Sequence, residues 1–263
     1  MTTALLLALA ATTLTSVPEG ALPSFEPDYR FSRAMRAGQV LSIGNIDGSV
    51  TVTRASGGTA VVLVTKRVIR GNGDLVKAIL EEESGGSIKV CTVYLREAGE
   101  TRDRCNGNNY DSGRRREPLE VEMTYEVQLP AGVELDVGTV DGDVIVSGLA
   151  ARATIATVDG SIRAEGRAPE RVSTVDGDIE IAATGELPTN LRYSTVDGGV
   201  FLSVPDNAGF EISATSVDGS LESDFPITVQ GRWGPRSLRG KVGDGRTSIR
   251  ITTVDGDVAV RRR

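Results

Sequence analysis

The amino-acid sequence predicts a mainly β protein: a parallel β-solenoid, single-stranded and β-helix-like, after a β-rich N-terminal part that carries one short helix. Two observations support this prediction, a recurring Thr-Val-Asp-Gly tetrapeptide and the alternating aliphatic residues beside it. The third is that aromatic residues make up only 4% of the 263 residues, so a core must be built from Val, Ile, Leu and Ala. Rows of such residues suffice, since each fully buried aliphatic side chain contributes about 1.5–3 kcal/mol.

The tetrapeptide occurs in six near-identical copies in the second half of the chain, and a seventh copy, Asn-Ile-Asp-Gly, stands apart in the first half. An aliphatic residue follows two positions after each repeated Gly, and the alternation continues as in a short strand. Asp-Gly is typical of a sharp turn, because Gly adopts positive φ and the short Asp side chain accepts hydrogen bonds from nearby backbone N–H groups. We predict that these residues form structural turns: Asp47, Gly48, Asp141, Gly142, Asp159, Gly160, Asp176, Gly177, Asp197, Gly198, Asp218, Gly219, Asp255 and Gly256.

Two architectures use a unit of this kind. Asp-Gly between alternating strands is a signal for a two-residue hairpin, which would give antiparallel meanders. A β-solenoid instead places one unit in each coil and stacks equivalent residues on one another. The same residue class recurs at every offset, which favours the solenoid. It predicts parallel strands about 4.8 Å apart with these valines stacked: Val140, Val158, Val175, Val196 and Val217.

The last two copies are spaced differently from the others. Their aspartates are 37 residues apart, close to two of the 17–21-residue steps that separate the other copies of the second half. We therefore expect residues 220–252 to hold a degenerate coil, with Trp233 and Pro235 in its loop and residues 240–245 as its corner.

The first half of the chain shows strand patterns without the regular repeat. Residues 42–53 predict a strand, an Asp-Gly turn and a second strand, and residues 61–64 continue the β pattern. Residues 119–129 alternate strictly, which predicts a half-buried strand closed by Pro130. Its predicted inward side consists of Val121, Met123, Tyr125, Val127 and Leu129.

One segment of the first half predicts a helix. Residues 72–83 begin with Asn72, a favourable N-cap, and place four aliphatic side chains on one helical face. These side chains are Leu75, Val76, Ile79 and Leu80.

The N-terminus predicts export. Residues 4–11 form an apolar run of eight, too short to span a bilayer and suited to the core of a signal peptide, although a buried apolar segment would read similarly. We expect a signal peptide at 1–21, a linker at 22–35, a β-rich region at 36–130 and the solenoid at 131–263. No later segment is long and apolar enough to span a membrane, so we expect the periplasm, the outer surface or the extracellular space.

The two cysteines fit an oxidising compartment. Cys91 and Cys105 are the only cysteines, and each is the other's only intrachain partner, so we predict a disulfide between them. Closing a loop of this size is worth about 3 kcal/mol in the chain-entropy model. A catalytic or metal-binding thiol is the alternative, but the sequence holds no His and no further Cys to support it.

The order of these features resembles a bacterial family of β-strand-repeat proteins that contains candidate adhesins and is otherwise a domain of unknown function. The resemblance covers residues 36–263. It rests on LPAG at 129–132, the Thr-Val-Asp-Gly repeats, SDFP at 223–226 and the Gly-rich turn at 240–245 before the last repeat. It implies a β-solenoid exposed on, or inside, the cell envelope. It implies no established chemistry and no active-site residues.

The repeated aspartates have three readings: turn residues, cation ligands and catalytic acids. A catalytic pair needs unlike environments that split the two pKa values, and these aspartates share one environment. Stacked carboxylates about 4.8 Å apart repel by roughly 0.9 kcal/mol per neighbour in water. Relief of this repulsion is the one physical reason to expect a bound cation. The calcium-binding loop patterns are missing, so we favour the turn reading and expect no metal, no cofactor and no catalytic residue.

Other candidate contacts are weaker. The basic runs at 114–116 and 261–263 read as solvated segments, with contact to acidic glycans or lipid headgroups as the alternative. Buried packing is favoured over a sugar-stacking surface for four aromatic residues. They are Trp233, Phe201, Phe210 and Tyr193.

These observations predict a non-enzymatic, exported, adhesin-like structural or interaction module of the bacterial envelope. Its expected partner is an envelope or surface component, protein or glycan. The absence of His removes imidazole chemistry, and the net charge of −7 disfavours nucleic acid. The alternatives are a carbohydrate-active enzyme on the same scaffold, which would need two unlike carboxylates in a groove outside the repeat, and an envelope-stress accessory protein.

Overall fold

The computed structural model describes residues 27–95, 105, 118–230 and 236–263. The predicted signal peptide at 1–21, residues 22–26 of the linker, the basic run at 114–116, Trp233 and Pro235 lie outside the described residues.

Within the described residues the chain is mainly β, with 21 strands and two single-turn 3₁₀ helices at Gly73–Leu75 and Ser84–Gly86. The strands are β1 Tyr29–Ala34, β2 Val40–Gly44, β3 Val50–Arg54, β4 Thr59–Arg70, β5 Val76–Glu82, β6 Ile88–Tyr94, β7 Glu120–Leu129, β8 Glu134–Gly138, β9 Val144–Leu149, β10 Ala153–Ala156, β11 Ile162–Gly166, β12 Arg171–Ser173, β13 Ile179–Ala183, β14 Asn190–Ser194, β15 Val200–Val204, β16 Phe210–Asp218, β17 Leu221–Ser223, β18 Thr228–Gln230, β19 Arg236–Val242, β20 Thr247–Asp255 and β21 Val258–Arg262.

The strands form two mixed sheets. The first sheet has the order β1-β4-β7-β3-β9-β11-β13-β15-β21-β17, and the second has the order β18-β19-β16-β20-β14-β12-β10-β8-β2-β6-β5. The middle of each sheet is parallel, and antiparallel pairs lie toward the ends, such as β1 with β4, β5 with β6, and β16 with β19.

Each Asp-Gly corner joins a strand of the second sheet to a strand of the first, and we call the two strands and their corner a corner unit. Neighbouring units pair in parallel with equivalent positions opposite each other, as Ile162 pairs with Val144 and with Ile179. The corner aspartates themselves form parallel bridges. The antiparallel hairpin alternative for the repeats is therefore wrong.

The units do not stack in chain order. The unit of β2 and β3 lies between β6–β7 and β8–β9, although β6 and β7 follow it in the chain. At the other end, β20 and β21 lie between the unit of β14 and β15 and the unit of β16 and β17. At this end the last unit of the chain therefore lies between two units that precede it in sequence.

The expected degenerate coil at 220–252 is wrong. In that interval β19 runs antiparallel to β16, and β18 runs antiparallel to β19. The physical reason is that β16 has an edge facing away from the stack, and its backbone groups need a partner. An antiparallel strand supplies these hydrogen bonds without adding another coil. Gly240 lies within β19 rather than at a corner, while Gly243 and Gly245 adopt positive φ in the turn that follows.

The predicted helix at 72–83 is also wrong. The Asn72 side chain accepts a hydrogen bond from Asp74 N as expected of a cap, but the helix ends after one 3₁₀ turn. The chain then continues as β5, which pairs with β6 along its whole length. Val76 and Ala78 alternate as buried positions of this strand, so β-pairing outweighed a helical pattern of only two turns.

The core is largely aliphatic, as the composition required, and continuous through both sheets. The predicted strand at 119–129 is present as β7, and its five predicted inward side chains are all buried. Tyr193 and Phe210 are buried as expected. Phe201 is 39% exposed, so buried packing was the wrong expectation there, because it occupies an outward position of β15.

Candidate functional site: the corner edge and its end cavity

The corners are held together by backbone hydrogen bonds between neighbouring units. At the Asp159 corner, the N–H groups of Val158 and Asp159 both donate to the carbonyl oxygen of Val140, at 3.2 and 2.8 Å. The Asp159 carbonyl in turn accepts from Gly142 N at 2.8 Å. The Asp176, Asp197 and Asp255 corners repeat this arrangement. The corner edge is therefore a continuous ladder.

The repeated Thr or Ser adds a hydroxyl to this ladder. Thr174 Oγ1 donates to the carbonyl oxygens of Gly160 and Val158, at 3.0 and 3.2 Å, and Thr157, Thr195 and Thr253 make equivalent bonds. These side chains are buried. Sequence reasoning treated this residue only as part of the motif, although its recurrence in every copy of the second half was the signal of an inward role.

The stack begins differently at its Asn45 corner. Asn45 replaces Thr, and its Nδ2 donates to the carbonyl oxygens of Gly48 and Met123, each at 2.8 Å. Thr157 and Thr174 donate to the carbonyl oxygen of the corner Gly in the preceding unit. The equivalent acceptor for Thr139 is the Gly48 oxygen. Among the described residues Thr139 Oγ1 is buried and has no hydrogen-bond partner.

Thr174→Val is expected to lower the free energy of unfolding by about 1–2 kcal/mol, because it leaves the part-buried carbonyl oxygen of Gly160 without its donor. Thr139→Val makes the same change where no bond exists, and we expect it to be neutral or slightly stabilising. Urea unfolding of both variants and the wild type gives the comparison. Equal losses in the two variants would show that the hydroxyl bonds contribute little.

The repeated aspartates lie at the corners, where six of the seven are exposed. No hydrogen bond joins their carboxylates to another described residue; the acceptor oxygens belong to residues two positions later. Asp143 Oδ1 accepts from Ser161 N at 2.8 Å, Asp178 Oδ1 from Gly199 N at 2.7 Å, and Asp257 Oδ1 from Ser220 N at 2.7 Å. These three residues were not predicted from the sequence. The assignment of the repeated Asp-Gly pairs as structural turn residues stays a prediction.

A cavity of about 550 Å³ lies beside the first corners. Its lining includes Asn45, Asp47, Thr92, Thr139 and Asp141. Thr92 Oγ1 donates to Asn45 Oδ1 at 2.8 Å and lies 2.8 Å from the Tyr125 hydroxyl, which fixes the polar wall. No three His, Cys, Asp or Glu side chains converge as a metal site anywhere in the described part of the chain.

Asp47 differs electrostatically from the other corner aspartates. Partial burial raises the pKa of its carboxyl above the usual range, and the neighbouring carboxylate of Asp141 raises that pKa further. Glu122 and Glu120 act in the same direction, while Arg67 opposes them. The folded protein therefore holds a proton on Asp47 more tightly than the unfolded chain does.

Asp47→Asn is expected to stabilise the protein at neutral pH and to flatten its pH dependence. Because the folded-state pKa is raised, stability falls as pH rises from about 3.8 through that pKa, and Asn removes this fall.

Asp176→Asn, at an exposed corner, is the matched control and should cost less than about 1 kcal/mol. Thermal unfolding between pH 3.5 and 7.5 checks both, and repeating it with chelator and with calcium tests the cation reading. A calcium-dependent midpoint that Asp176→Asn abolishes would contradict a metal-free corner.

The disulfide lies next to this cavity. Cys91 and Cys105 are bonded, with their Cα atoms 5.7 Å apart. Together with Val93 they form a small buried cluster against which Ile79 and Leu95 pack.

The basic run at 261–263 is engaged within the protein. Arg261 pairs with Asp224 at 3.1 Å, and Arg263 pairs with Glu165 at 2.7 Å. The Arg262 guanidinium lies 4.5 Å from the ring centroid of Phe225. The alternative considered for this run, contact with acidic glycans or lipid headgroups, would therefore require these arginines to give up their present partners.

The corner edge also presents a line of apolar side chains. The second residue of each of the six later copies is a valine with 39–47% of its surface exposed, beside the acidic row. We call this line the valine stripe, and it comprises Val140, Val158, Val175, Val196, Val254 and Val217.

Two mixed sheets joined by repeated Asp-Gly corners define a β-strand-repeat protein. The chain belongs to the family described as Toastrack DUF4097, whose model matches residues 39–261. No curated protein sequence is similar enough to count as a relative. No helix in the described residues is long and apolar enough to cross a membrane.

Three solved structures are similar at low identity. A candidate cell adhesion protein from Clostridium sporogenes ATCC 15579 is 11% identical, with 89% of this chain and 99% of that chain covered and a TM-score of 0.43. A candidate adhesin from Bacteroides fragilis NCTC 9343 is 11% identical, with 90% and 99% covered and a TM-score of 0.26. A candidate lipid binding protein from Parabacteroides distasonis ATCC 8503 is 10% identical, with 90% and 97% covered and a TM-score of 0.23.

Proposed function

We propose that this protein is a non-enzymatic, adhesin-like interaction module of the bacterial cell envelope, built as a parallel β-solenoid. The parallel pairing of equivalent corner residues supports the solenoid. Antiparallel strands then act as its caps, and the N-terminal region at 36–130 and the solenoid at 131–263 share one stack. The repeated Asp-Gly pairs serve as its turns.

The valine stripe carries the proposal. Five steps of about 4.8 Å make the stripe about 24 Å long, which is a narrow apolar line on an otherwise polar edge. Each of these valines could lie against a partner without any change in the fold, because the backbone ladder behind it is already complete. An envelope protein or glycan that contacts the edge would bury this apolar surface.

The compartment is part of the proposal. The disulfide fits an oxidising environment, and residues 1–21 would act as the export signal. Fractionation of cells that make the tagged full chain should recover it from the periplasm or the outer surface, with Cys91 and Cys105 oxidised. Recovery from the cytoplasm with two free thiols would contradict export.

Binding to isolated cell envelopes tests the stripe. The triple variant Val158→Thr, Val175→Thr, Val196→Thr keeps side-chain shape and β propensity but makes the edge polar. We expect it to sediment with envelopes several-fold less than the wild type. The control is Val68→Thr with Ile69→Thr, because these two residues are equally exposed but lie outside the stripe. Equal sedimentation of wild type and triple variant would contradict a role for the stripe.

A further inference from the structure

Three arginines stand in one row on the outward face of the second sheet. Arg171 on β12, Arg192 on β14 and Arg250 on β20 are directly opposite one another in the parallel register. All three are exposed. Strand spacing of about 4.8 Å places the three positions within roughly 10 Å along the sheet.

The charges of this row are not compensated by the protein. None of its three guanidinium groups makes a hydrogen bond or ion pair with another described residue. The corresponding outward row of the first sheet differs, because Arg163 faces Glu180 there and Arg163 Nε donates to Glu180 Oε2 at 2.8 Å. Like charges directly opposite on neighbouring strands are destabilising, so fold stability does not account for the row.

The outward residues that flank the row on its own strands are polar and uncharged, and Asp255 at the far, corner end of β20 is the one carboxylate on these three strands. On one side lie Ser173, Ser194 and Thr252, which are also in register with one another. On the other side Asn190 lies opposite Ser248. These five residues offer hydroxyl and amide groups next to the guanidinium groups.

A groove of about 790 Å³ extends from the row. Arg171 and Arg192 contribute to its lining together with Arg152 and Arg167. Two carboxylates, Glu170 and Glu186, line it against these four arginines. Glu170 is engaged by Arg167 at 2.8 Å and accepts from Ala153 N at 3.0 Å. The Nε atom of Arg167 is buried and has no partner among the described residues. The groove is therefore net positive on a protein whose net charge is −7.

We propose that the Arg171–Arg192–Arg250 row and its groove bind the carboxylates of a linear acidic polysaccharide, a polyuronate. Arginine pairs with carboxylate in a bidentate geometry, and the flanking Ser, Thr and Asn side chains can bond sugar hydroxyls. The row contains no exposed aromatic side chain on which a nucleic-acid base could stack. Val254 is the one large exposed apolar residue on β10, β12, β14 and β20, and it lies at the corner end of β20, four residues beyond Arg250. The arginine row itself therefore has no apolar side chain on these strands to insert into lipid. The row shares no residue with the valine stripe, whose Val175, Val196 and Val254 follow the three arginines by four residues, so the proposal goes beyond the function proposed above.

Binding of the purified chain to polygalacturonate tests the proposal, with its fully methyl-esterified form as the neutral ligand of the same backbone. We expect the wild type to bind the acid form, more weakly as salt rises, and not the ester. The triple variant Arg171→Gln, Arg192→Gln, Arg250→Gln should lose at least tenfold in affinity. The corresponding Lys triple keeps the charge without the bidentate geometry and should fall between the two.

The control is Arg30→Gln, Arg54→Gln, Arg163→Gln, which removes the same charge from exposed positions of the first sheet. We expect its affinity to change by less than threefold. No binding by the wild type, equal binding by the row variant, or equal loss in the control would overturn the proposal. Binding only to inorganic polyphosphate or to phosphatidylglycerol vesicles would also overturn it and assign the row to phosphate. Thermal melts show that each variant is folded, and relief of repulsion should keep the row variant at least as stable as the wild type.

Discussion

Gly177→Val is expected to lower the free energy of unfolding by about 3 kcal/mol or more, enough to unfold a domain of ordinary stability on mild heating. Gly177 has φ +151°, where a β-branched residue is strained. A Cβ there would lie 2.2 Å from the carbonyl oxygen of Gly160 and 2.6 Å from its carbonyl carbon. These atoms belong to the backbone of the neighbouring unit, so relief requires separating the two units.

Two other glycines separate the clash from the backbone strain. Gly185 has φ +72° with open space around it, so Gly185→Val should show the strain alone, roughly 1–3 kcal/mol. Gly138 has no positive φ and no atom within 4 Å of an added Cβ, so Gly138→Val should change stability by less than about 1 kcal/mol. Urea unfolding of all three variants gives the order. If the Gly177 variant were no less stable than the Gly185 variant, the two neighbouring units could move apart at the corner with little loss of free energy of unfolding.

Loss of the disulfide is expected to have the other large effect, about 3 kcal/mol of unfolding free energy. Cys91 and Cys105 are 14 residues apart in the sequence, and the bond restricts the unfolded chain by about that much in the chain-entropy model. It also attaches Cys105 to β6, where both cysteines are buried with Val93. The double variant Cys91→Ala, Cys105→Ala removes the bond without introducing buried hydroxyls.

Reduction of the wild type is the matched control. Urea unfolding with a strong reductant should bring the wild type to the stability of the double variant, and the reductant should leave the double variant unchanged. Mass spectrometry of protein purified without reductant should find one intact bond. Equal stability of oxidised and reduced wild type would mean that the loop contributes nothing to the fold.

The repeat made the corner edge predictable from sequence, because equivalent residues face equivalent surroundings in every unit. Val144, Ile162 and Ile179 each lie two positions after a repeated Gly, which predicts that they pair with one another, and the structure pairs them in this register. The same regularity did not reveal which carboxylates accept hydrogen bonds. Asp143, Asp178 and Asp257 occupy a position where Ser and Gly also occur, so no single residue type marks it.

The wrong or missing predictions concern elements whose structure depends on pairing between strands that are distant in the sequence. Val76 to Leu80 fit a helical face and a strand equally well, and only the presence of β6 as a partner settles the outcome. The position of β20 beside β14 was not predictable either, because spacing in sequence reports the length of a connection and not which edge it reaches. The arginine row was missed for a related reason. Its members are 21 and 58 residues apart in the chain and become neighbours only through the parallel register.

The placement of β20 and β21 has a consequence for how the chain folds. A repeat array built in chain order can fold progressively, with each unit docking on the one before it. Here β14 and β15 pair on one side with β20 and β21, which are synthesised some 50 residues later. β16 cannot dock against the array until β20 lies between β14 and β16. Contacts of such sequence separation slow folding, so the second half is expected to close in a late, cooperative step. Until then the open edges of β14 and β15 are exposed to other chains, and translocation in an unfolded state, with folding only after the chain has crossed, would postpone that exposure.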